Sequence, residues 1–279
     1  MNRIDTIRYY TEKLKNAGIE EHEADTEVRF ALSNILNCDL GSLYIRGTAQ
    51  VTESDEYRLG YIIDRRIKGE PLEYILEEKW FMGLPFKVTP DVLIPRRETE
   101  LLCEHAVQLI RIDLAGKVLD LCTGSGCIAV SIARYTRARV TATDISPKAS
   151  EIAKFNAKKH LVNVDIRVGD LFDAVPEKFD MICSNPPYIP SAEISALMRE
   201  VKDHEPRLAL DGGRDGLKFY RKIAKQAPDH LNKGGILIME IGCEQAKDVS
   251  SILLQAGFGD IKVMKDYSSL DRIIVARAK

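Results

Sequence analysis

Two hydrophobic rhythms divide the chain. Up to about residue 70 the apolar positions recur every three or four residues; from Lys117 onward short apolar runs alternate with helical stretches. In the first region Ile4, Ile7 and Leu14 fall on one side of a first helix, and Ala24, Val28, Ala31, Leu32, Ile35 and Leu36 form a stripe on a second. Ser54 is the expected N-cap of a third helix, which buries Leu59, Ile62, Ile63 and Ile67 and ends near Gly69-Glu70-Pro71. Between Lys79 and Val88, aromatic and branched residues surround Gly83 and Pro85, which suggests a short hairpin or an extended linker. Ile94-Pro95-Arg96-Arg97-Glu98-Thr99-Glu100 then leads into a helix carrying Leu101, Leu102, Ala106, Leu109 and Ile110.

The remainder reads as alternating strands and helices. Strands are expected at Val118–Leu121, Arg139–Thr143, Val164–Val168, Met181–Ser184 and Ile236–Met239, with helices through Ile132, from Pro147, over Gly216–Leu231 and over Glu244–Leu254. Strands separated by helices imply a mostly parallel sheet covered on both faces. Two closing strands, Ile261–Met264 and Arg272–Ala276, have no helix between them and imply an antiparallel edge hairpin.

Composition narrows the class. A chain of 279 residues suits one large and one small domain, and 45% hydrophobic with 29% charged residues is ordinary for a globular protein. A formal net charge of −2 gives no general attraction to nucleic acid or to an anionic membrane. Residues 1–80 hold 16 Asp/Glu against 11 Lys/Arg, a bias that suits a basic protein partner or a solvated helical face. No signal-peptide core opens the chain and no apolar run approaches bilayer length, so it reads as cytoplasmic. The six cysteines are scattered and the five histidines lie far apart, so reduced thiols are expected and no metal site.

The first chemical signal is Asp120-Leu121-Cys122-Thr123-Gly124-Ser125-Gly126, where the first strand of the alternating region turns into its helix. Ligands bind at that carboxyl edge of an open α/β sheet, and glycines there let the backbone approach them. Asp144 ends the next strand, eighteen residues past Gly126, where a carboxylate can accept both hydroxyls of a ribose. Gly124 to Ala129 also fits the dinucleotide fingerprint, so NAD stays open on this motif alone. Two carboxylates favour S-adenosylmethionine: Asp120 can face its cationic methionine end, and Asp170, after the third strand, can meet the adenine amino group.

The second signal is Asn185-Pro186-Pro187-Tyr188, after the fourth strand and so at the same edge. An amide or aromatic amine nitrogen is a poor nucleophile because its lone pair is delocalised. The Asn185 side-chain oxygen and the Pro186 carbonyl can accept its two N–H groups and hold it in line with a methyl donor. Prolines stiffen the loop and remove competing amide donors, and Tyr188 offers a flat face for a planar target. A plain Pro-Pro turn capped by Asn185 is the alternative for the loop taken alone.

The combination resembles the HemK/PrmC family of protein-glutamine methyltransferases that modify class I peptide release factors. The resemblance rests on Gly69-Glu70-Pro71-Leu72-Glu73-Tyr74-Ile75, Leu84-Pro85-Phe86, Ile94-Pro95-Arg96 with Thr99-Glu100, Glu205-Pro206-Arg207-Leu208-Ala209-Leu210, Gly212-Gly213 and Asp215-Gly216-Leu217, together with Asn185–Tyr188. It implies a class I S-adenosylmethionine methyltransferase fold: a Rossmann-like, mostly parallel seven-stranded sheet with an antiparallel edge hairpin, plus a small N-terminal helical domain. It further implies a release-factor-binding domain over 1–73, a hairpin linker over 74–97 and a methyltransferase domain over 98–279. The implied substrate is the glutamine of the release factor's Gly-Gly-Gln loop. The implied cofactor contacts are Asp120, Cys122 through Gly126, Asp144, Asp170, Leu171 and Asn185, and the target is held by Asn185 through Tyr188. Cys122 stands where many members carry Gly, Leu171 where some carry an aromatic, and Glu77–Trp80 replaces a stretch that commonly begins with Gly.

Three rival functions use some of the same residues. A DNA adenine methyltransferase also presents Asn-Pro-Pro-Tyr to an amino group, but needs a basic groove that the charge balance does not offer. A ribosomal-protein glutamine methyltransferase shares the chemistry. An NAD-dependent dehydrogenase would reuse the glycine turn and Asp144 and leave Asn185 without a role.

Overall fold

In a computed structural model, which describes residues 1–113 and 116–279, the chain divides into two units, Met1–Glu77 and Glu78–Lys279. The first holds helices α1 (Arg3–Asn16), α2 (Glu21–Ile35), α3 (Leu40–Ile45), α4 (Glu53–Ile67) and α5 (Leu72–Leu76). The expected stripe on α2 is buried through Ala24, Val28, Ala31, Leu32 and Ile35, and it packs on Ile7 and Leu14 of α1 and on Leu59, Ile62 and Ile63 of α4. Each fully buried aliphatic side chain there contributes about 1.5–3 kcal/mol relative to exposure. Ile4 departs from the pattern: it sits in the first turn of α1, 47% exposed, lying over Gly47 beyond the edge of the core. The cap of α4 is also shifted, from Ser54 to Thr52. The Thr52 hydroxyl accepts the Asp55 amide and donates to the Asp55 carboxylate, satisfying a helix-end donor two residues earlier. Arg66 is buried inside this unit, where Glu27 receives its Nε at 2.8 Å.

The second unit opens with the hairpin β1 (Glu78–Phe81) and β2 (Leu84–Lys87), paired antiparallel. The hairpin belongs to the core of this unit: Phe81 and Phe86 are buried with Leu102, Ile128 and Val130. The buried carboxamide of Asn156 clamps it, accepting the Lys87 amide at 2.8 Å and donating to the carbonyls of Lys87 and Ser125. There follow α6 (Arg97–Asp113), β3 (Lys117–Leu121), α7 (Cys127–Tyr135), β4 (Arg139–Asp144), α8 (Pro147–Lys159), β5 (Val164–Val168) and β6 (Phe179–Ser184). The chain ends through α9 (Arg199–His204), α10 (Lys218–His230), β7 (Leu231–Glu240), α11 (Ala246–Gln255), β8 (Gly259–Lys265) and β9 (Asp271–Arg277).

Seven strands form one sheet in the order β5-β4-β3-β6-β7-β9-β8. The five from β3 to β7 are parallel, and β9 runs antiparallel between β7 and β8. The implied fold, a mostly parallel seven-stranded sheet with an antiparallel edge hairpin, is therefore present. From β3 the chain first winds outward to β4 and β5, then returns to β6 on the other side. Strands β3 and β6, with Leu121 opposite Ser184, thus make the topological switch point where ligands bind in such sheets. Hydrophobic layers cover both faces, one built around α6, α7 and α8 and the other around α10 and α11. Among the described residues no helix is long and apolar enough to cross a membrane. All six cysteines are free thiols, and Cys243 is the exposed one.

Candidate active site

The turn after β3 is shaped by three left-handed residues in five: Cys122 at φ +58, Gly124 at +54 and Gly126 at +81. Only glycine takes such angles without strain, so Cys122 carries a cost that glycine would not. Gly126 is required for a second reason: a Cβ there would lie 3.0 Å from Ala153 Cβ and 3.1 Å from its Cα, because α7 and α8 pack closely behind the turn. Cys122 and Gly124 line a cavity of about 280 Å³. Thr123 and Ser125 face the protein and are buried.

Asp120 lies beneath this turn, fully buried and set back from the residues that line the cavity. Its Oδ2 accepts the Thr123 hydroxyl at 2.6 Å and the Ala129 amide at 3.2 Å, while its buried Oδ1 has no hydrogen-bond partner among the described residues. Burial pushes its carboxyl up to about 7, against the pull of those two donors. An orphaned carboxylate oxygen at such a place is the kind of group that a cation satisfies.

Asp144, at the end of β4, lines the cavity and accepts one amide on each oxygen, from Ser146 on Oδ1 and Gly124 on Oδ2, each at 2.9 Å. Each oxygen keeps capacity for one more donor. Burial raises its pKa. Asp170 and Leu171 line the far end, after β5. Asp170 is already paired with Lys222, 2.8 Å away, and Leu171 is held at φ +51 by the Thr143 hydroxyl donating to its carbonyl at 2.9 Å.

Asn185 and Pro187 form the opposite wall. The Asn185 Nδ2 donates to the Thr99 hydroxyl at 3.0 Å, and Thr99 donates in turn to Glu240 Oε2 at 2.6 Å. Among the described residues, none donates a hydrogen bond to Asn185 Oδ1 or to the Pro186 carbonyl. Two adjacent acceptors are thus left for a guest NH2 group. Tyr188 is placed differently from the expectation of an open stacking face. Its ring packs beside the sheet, outside the cavity wall, and its hydroxyl donates to Glu240 Oε1 at 3.3 Å. The loop is fixed from outside as well: Gln245 donates to the Tyr188 carbonyl at 3.0 Å, and a Cβ on Gly212 would come within 2.7 Å of the Tyr188 backbone.

Thr99, Glu240, Lys222 and Gln245 were not singled out as site residues by sequence reasoning. Thr99 stood inside a recognised motif, whereas Glu240 is simply the last residue of an apolar strand. Glu205 is buried and takes the Ile94 amide and the Arg96 guanidinium, which ties the segment before α6 to the Glu205-Pro206 loop.

Comparison with known proteins identifies the family. Residues 5–76 match the model of the PrmC N-terminal domain, and residues 97–214 match the methyltransferase small domain. The chain is 42% identical to the release factor glutamine methyltransferase of Geobacter sulfurreducens over 276 residues, covering 98% of this chain and 95% of that protein. It is 40% identical to the enzyme of the same name from Thermodesulfovibrio yellowstonii, covering 99% and 98%. The chain belongs to the release factor glutamine methyltransferases. Among solved structures, a methyltransferase from Pyrococcus furiosus superposes with a TM-score of 0.54 at 21% identity, covering 71% of this chain and 90% of that one, a likeness of fold. Family membership removes the dehydrogenase and DNA-methyltransferase readings of the glycine turn and of the Asn-Pro-Pro-Tyr loop.

Proposed function

We propose that this enzyme transfers the methyl group of S-adenosylmethionine to the side-chain amide nitrogen of the glutamine in the Gly-Gly-Gln loop of class I release factors. S-adenosylmethionine is the methyl donor and a release factor the substrate, as the family implies. The donor fits the residues present: the orphaned Asp120 Oδ1 suits its ammonium group, and Asp144 suits the ribose hydroxyls. Cys122, Thr123, Gly124, Ser125 and Gly126 would shape the backbone around it, with Asp170 and Leu171 at the adenine end and Asn185 beside the reacting centre. The cofactor supplies an electrophilic methyl group on a sulfonium.

The chain's own residues supply position. Asn185 Oδ1 and the Pro186 carbonyl accept the two N–H groups of the target amide and aim its nitrogen, while Pro187 and Tyr188 keep the loop rigid. The nitrogen so held would take the methyl group that the sulfonium supplies, and the N–H proton displaced on methylation would leave to water. A protonated N-methyl amide is strongly acidic, so no dedicated base is needed. Rate enhancement comes from alignment and from fixed dipoles facing the charge that develops on the N–H groups. The unit Met1–Glu77 would grip the release factor.

The observation that carries this reading is that Asn185 spends its NH2 group on Thr99 and keeps its oxygen for a guest. Incubation with labelled cofactor and either a release factor, a ribosomal protein or duplex DNA tests it. Label is expected in the release factor; label confined to another acceptor contradicts the reading.

A further inference from the structure

A carboxamide is nearly symmetric in shape but not in chemistry: turned by half a revolution, it presents NH2 where it had presented oxygen. A target amide offers two N–H donors, so only one orientation of Asn185 can hold it. The other sets NH2 against NH2. Something must therefore select the orientation.

We propose that Thr99 and Glu240 are positioning residues that fix the Asn185 carboxamide with its oxygen toward the substrate. The inference rests on the reading of Asn185 as the group that holds the target amide. While Glu240 is ionised, the chain of hydrogen bonds has a single direction. The Glu240 carboxylate can only accept, and it takes the Thr99 hydroxyl at 2.6 Å on one oxygen and the Tyr188 hydroxyl at 3.3 Å on the other. Thr99 has then spent its only hydrogen, so its oxygen can only accept, and it takes the Asn185 NH2 at 3.0 Å. The Tyr220 hydroxyl donates to the Glu240 main-chain carbonyl at 3.1 Å, which pins the end of β7. Glu240 is 1% exposed and Thr99 2%, so water does not compete for these groups. Neither residue touches the cavity; both act on the substrate only through Asn185.

The test uses the full-length enzyme with a release factor and compares Thr99→Val, Thr99→Ser, Glu240→Gln and Asn185→Ala. Four quantities are read for each: kcat, KM for the release factor, affinity for S-adenosylmethionine, and Tm. Thr99→Val keeps the shape but not the hydroxyl, and is expected to lower kcat about 100-fold while KM and cofactor affinity stay within about threefold. Thr99→Ser restores the hydroxyl and is expected to recover kcat to within about threefold of the parent. In Glu240→Gln the new NH2 can donate to Thr99 and free its hydrogen to turn on Asn185, for an expected kcat loss of about tenfold. Should Thr99→Val lose its fold by Tm, Glu240→Gln against Thr99→Ser decides the same question. If the folded Thr99→Val, or Glu240→Gln in its place, turns over within about twofold of the parent while Asn185→Ala is inactive, the positioning role is overturned and the reading beneath it stands. If Asn185→Ala itself turns over like the parent, the reading fails and the positioning role with it.

Discussion

Asn185 and Thr99 are 86 residues apart in sequence, yet the carboxamide of one donates to the hydroxyl of the other at 3.0 Å. That contact joins the start of α6 to the loop after β6, at the edge of the sheet where β3 and β6 diverge. Through it, the loop that holds the target is braced by a buried acid on a third element, β7. The site is therefore assembled from the carboxyl ends of several strands, each rigid because its strand is packed on both faces.

Removing the Asn185 side chain should separate binding from chemistry. Asn185→Ala is expected to keep cofactor binding, measured by calorimetry, and to lose methyl transfer by roughly 100-fold or more, as for loss of a transition-state contact. Equal turnover in variant and parent would sink the assigned role.

Turnover at saturating substrate should depend on the charge of Glu240. This carboxyl faces Thr99 and Glu98 from α6, Tyr188 from the loop after β6 and Arg272 from β9, while Tyr220 from α10 donates to the main-chain carbonyl of the same residue. Burial pushes it up to about 7; Thr99, Arg272 and Tyr188 pull it back, and Glu98 adds a smaller rise. Once protonated it can donate to Thr99, which reverses the hydrogen-bond chain and favours the wrong face of Asn185. The kcat is expected to fall from about pH 8 to about pH 6, and Glu240→Gln to flatten that profile. A parent profile already flat across this range contradicts the prediction.

Asp120 should link cofactor binding to protons. Its folded carboxyl is raised from 3.8 to about 7, so between those values the native state holds a proton that the unfolded chain has released. Stability from this group is fully present below the unfolded value and is lost as pH rises through about 7. The Tm of the cofactor-free parent should thus decline with rising pH more steeply than that of Asp120→Asn. A cation at Oδ1 favours the carboxylate, so S-adenosylmethionine binding should release protons and tighten as pH rises from about 6 to about 8. Calorimetry in buffers of different ionisation enthalpy measures this, and binding with no proton release contradicts it.

Gly126 should tolerate no side chain. Its φ of +81 and the 3.0 Å approach to Ala153 act together, so Gly126→Ala is expected to cost about 1–3 kcal/mol in denaturant unfolding and to weaken cofactor binding. An unchanged midpoint would show that α7 and α8 can part more easily than their packing suggests.

Much of this was legible in the chain itself, for physical reasons. The strands of the parallel sheet are buried on both faces, so Val118–Leu121 and Met181–Ser184 stand out as mostly apolar runs, broken only by Asp120 and closed by Ser184 at the ligand edge. The beginning of β7 is silent, because Asn232, Lys233 and Gly234 are exposed and only Leu231 and the residues from Gly235 onward are buried. Helices α3, α5 and α9 have five or six residues, too few to display a period. The cap of α4 was misplaced because Thr52 and Ser54 are equivalent as residue types; only the reciprocal bonds with Asp55 distinguish them.

The site divides in the same way. Asp144 and Asn185 were legible because each ends a strand at the ligand edge, where position alone gives a role. The partner of Thr99 was not, since its contact with Glu240 spans 141 residues and no local pattern encodes it. Tyr188 reads as a stacking face in the sequence because its hydroxyl's partner, Glu240, lies 52 residues away and no local pattern encodes the contact. Asp120 was read as facing a ligand, and sequence could not show that one of its oxygens is spent on Thr123 and Ala129.

The central claim is tested most directly by intact-mass and peptide analysis of a class I release factor after incubation with this enzyme and S-adenosylmethionine. A gain of one CH2 unit confined to the glutamine of the Gly-Gly-Gln loop is the predicted result. A gain at any other residue, or none in the release factor while another acceptor is methylated, would contradict it.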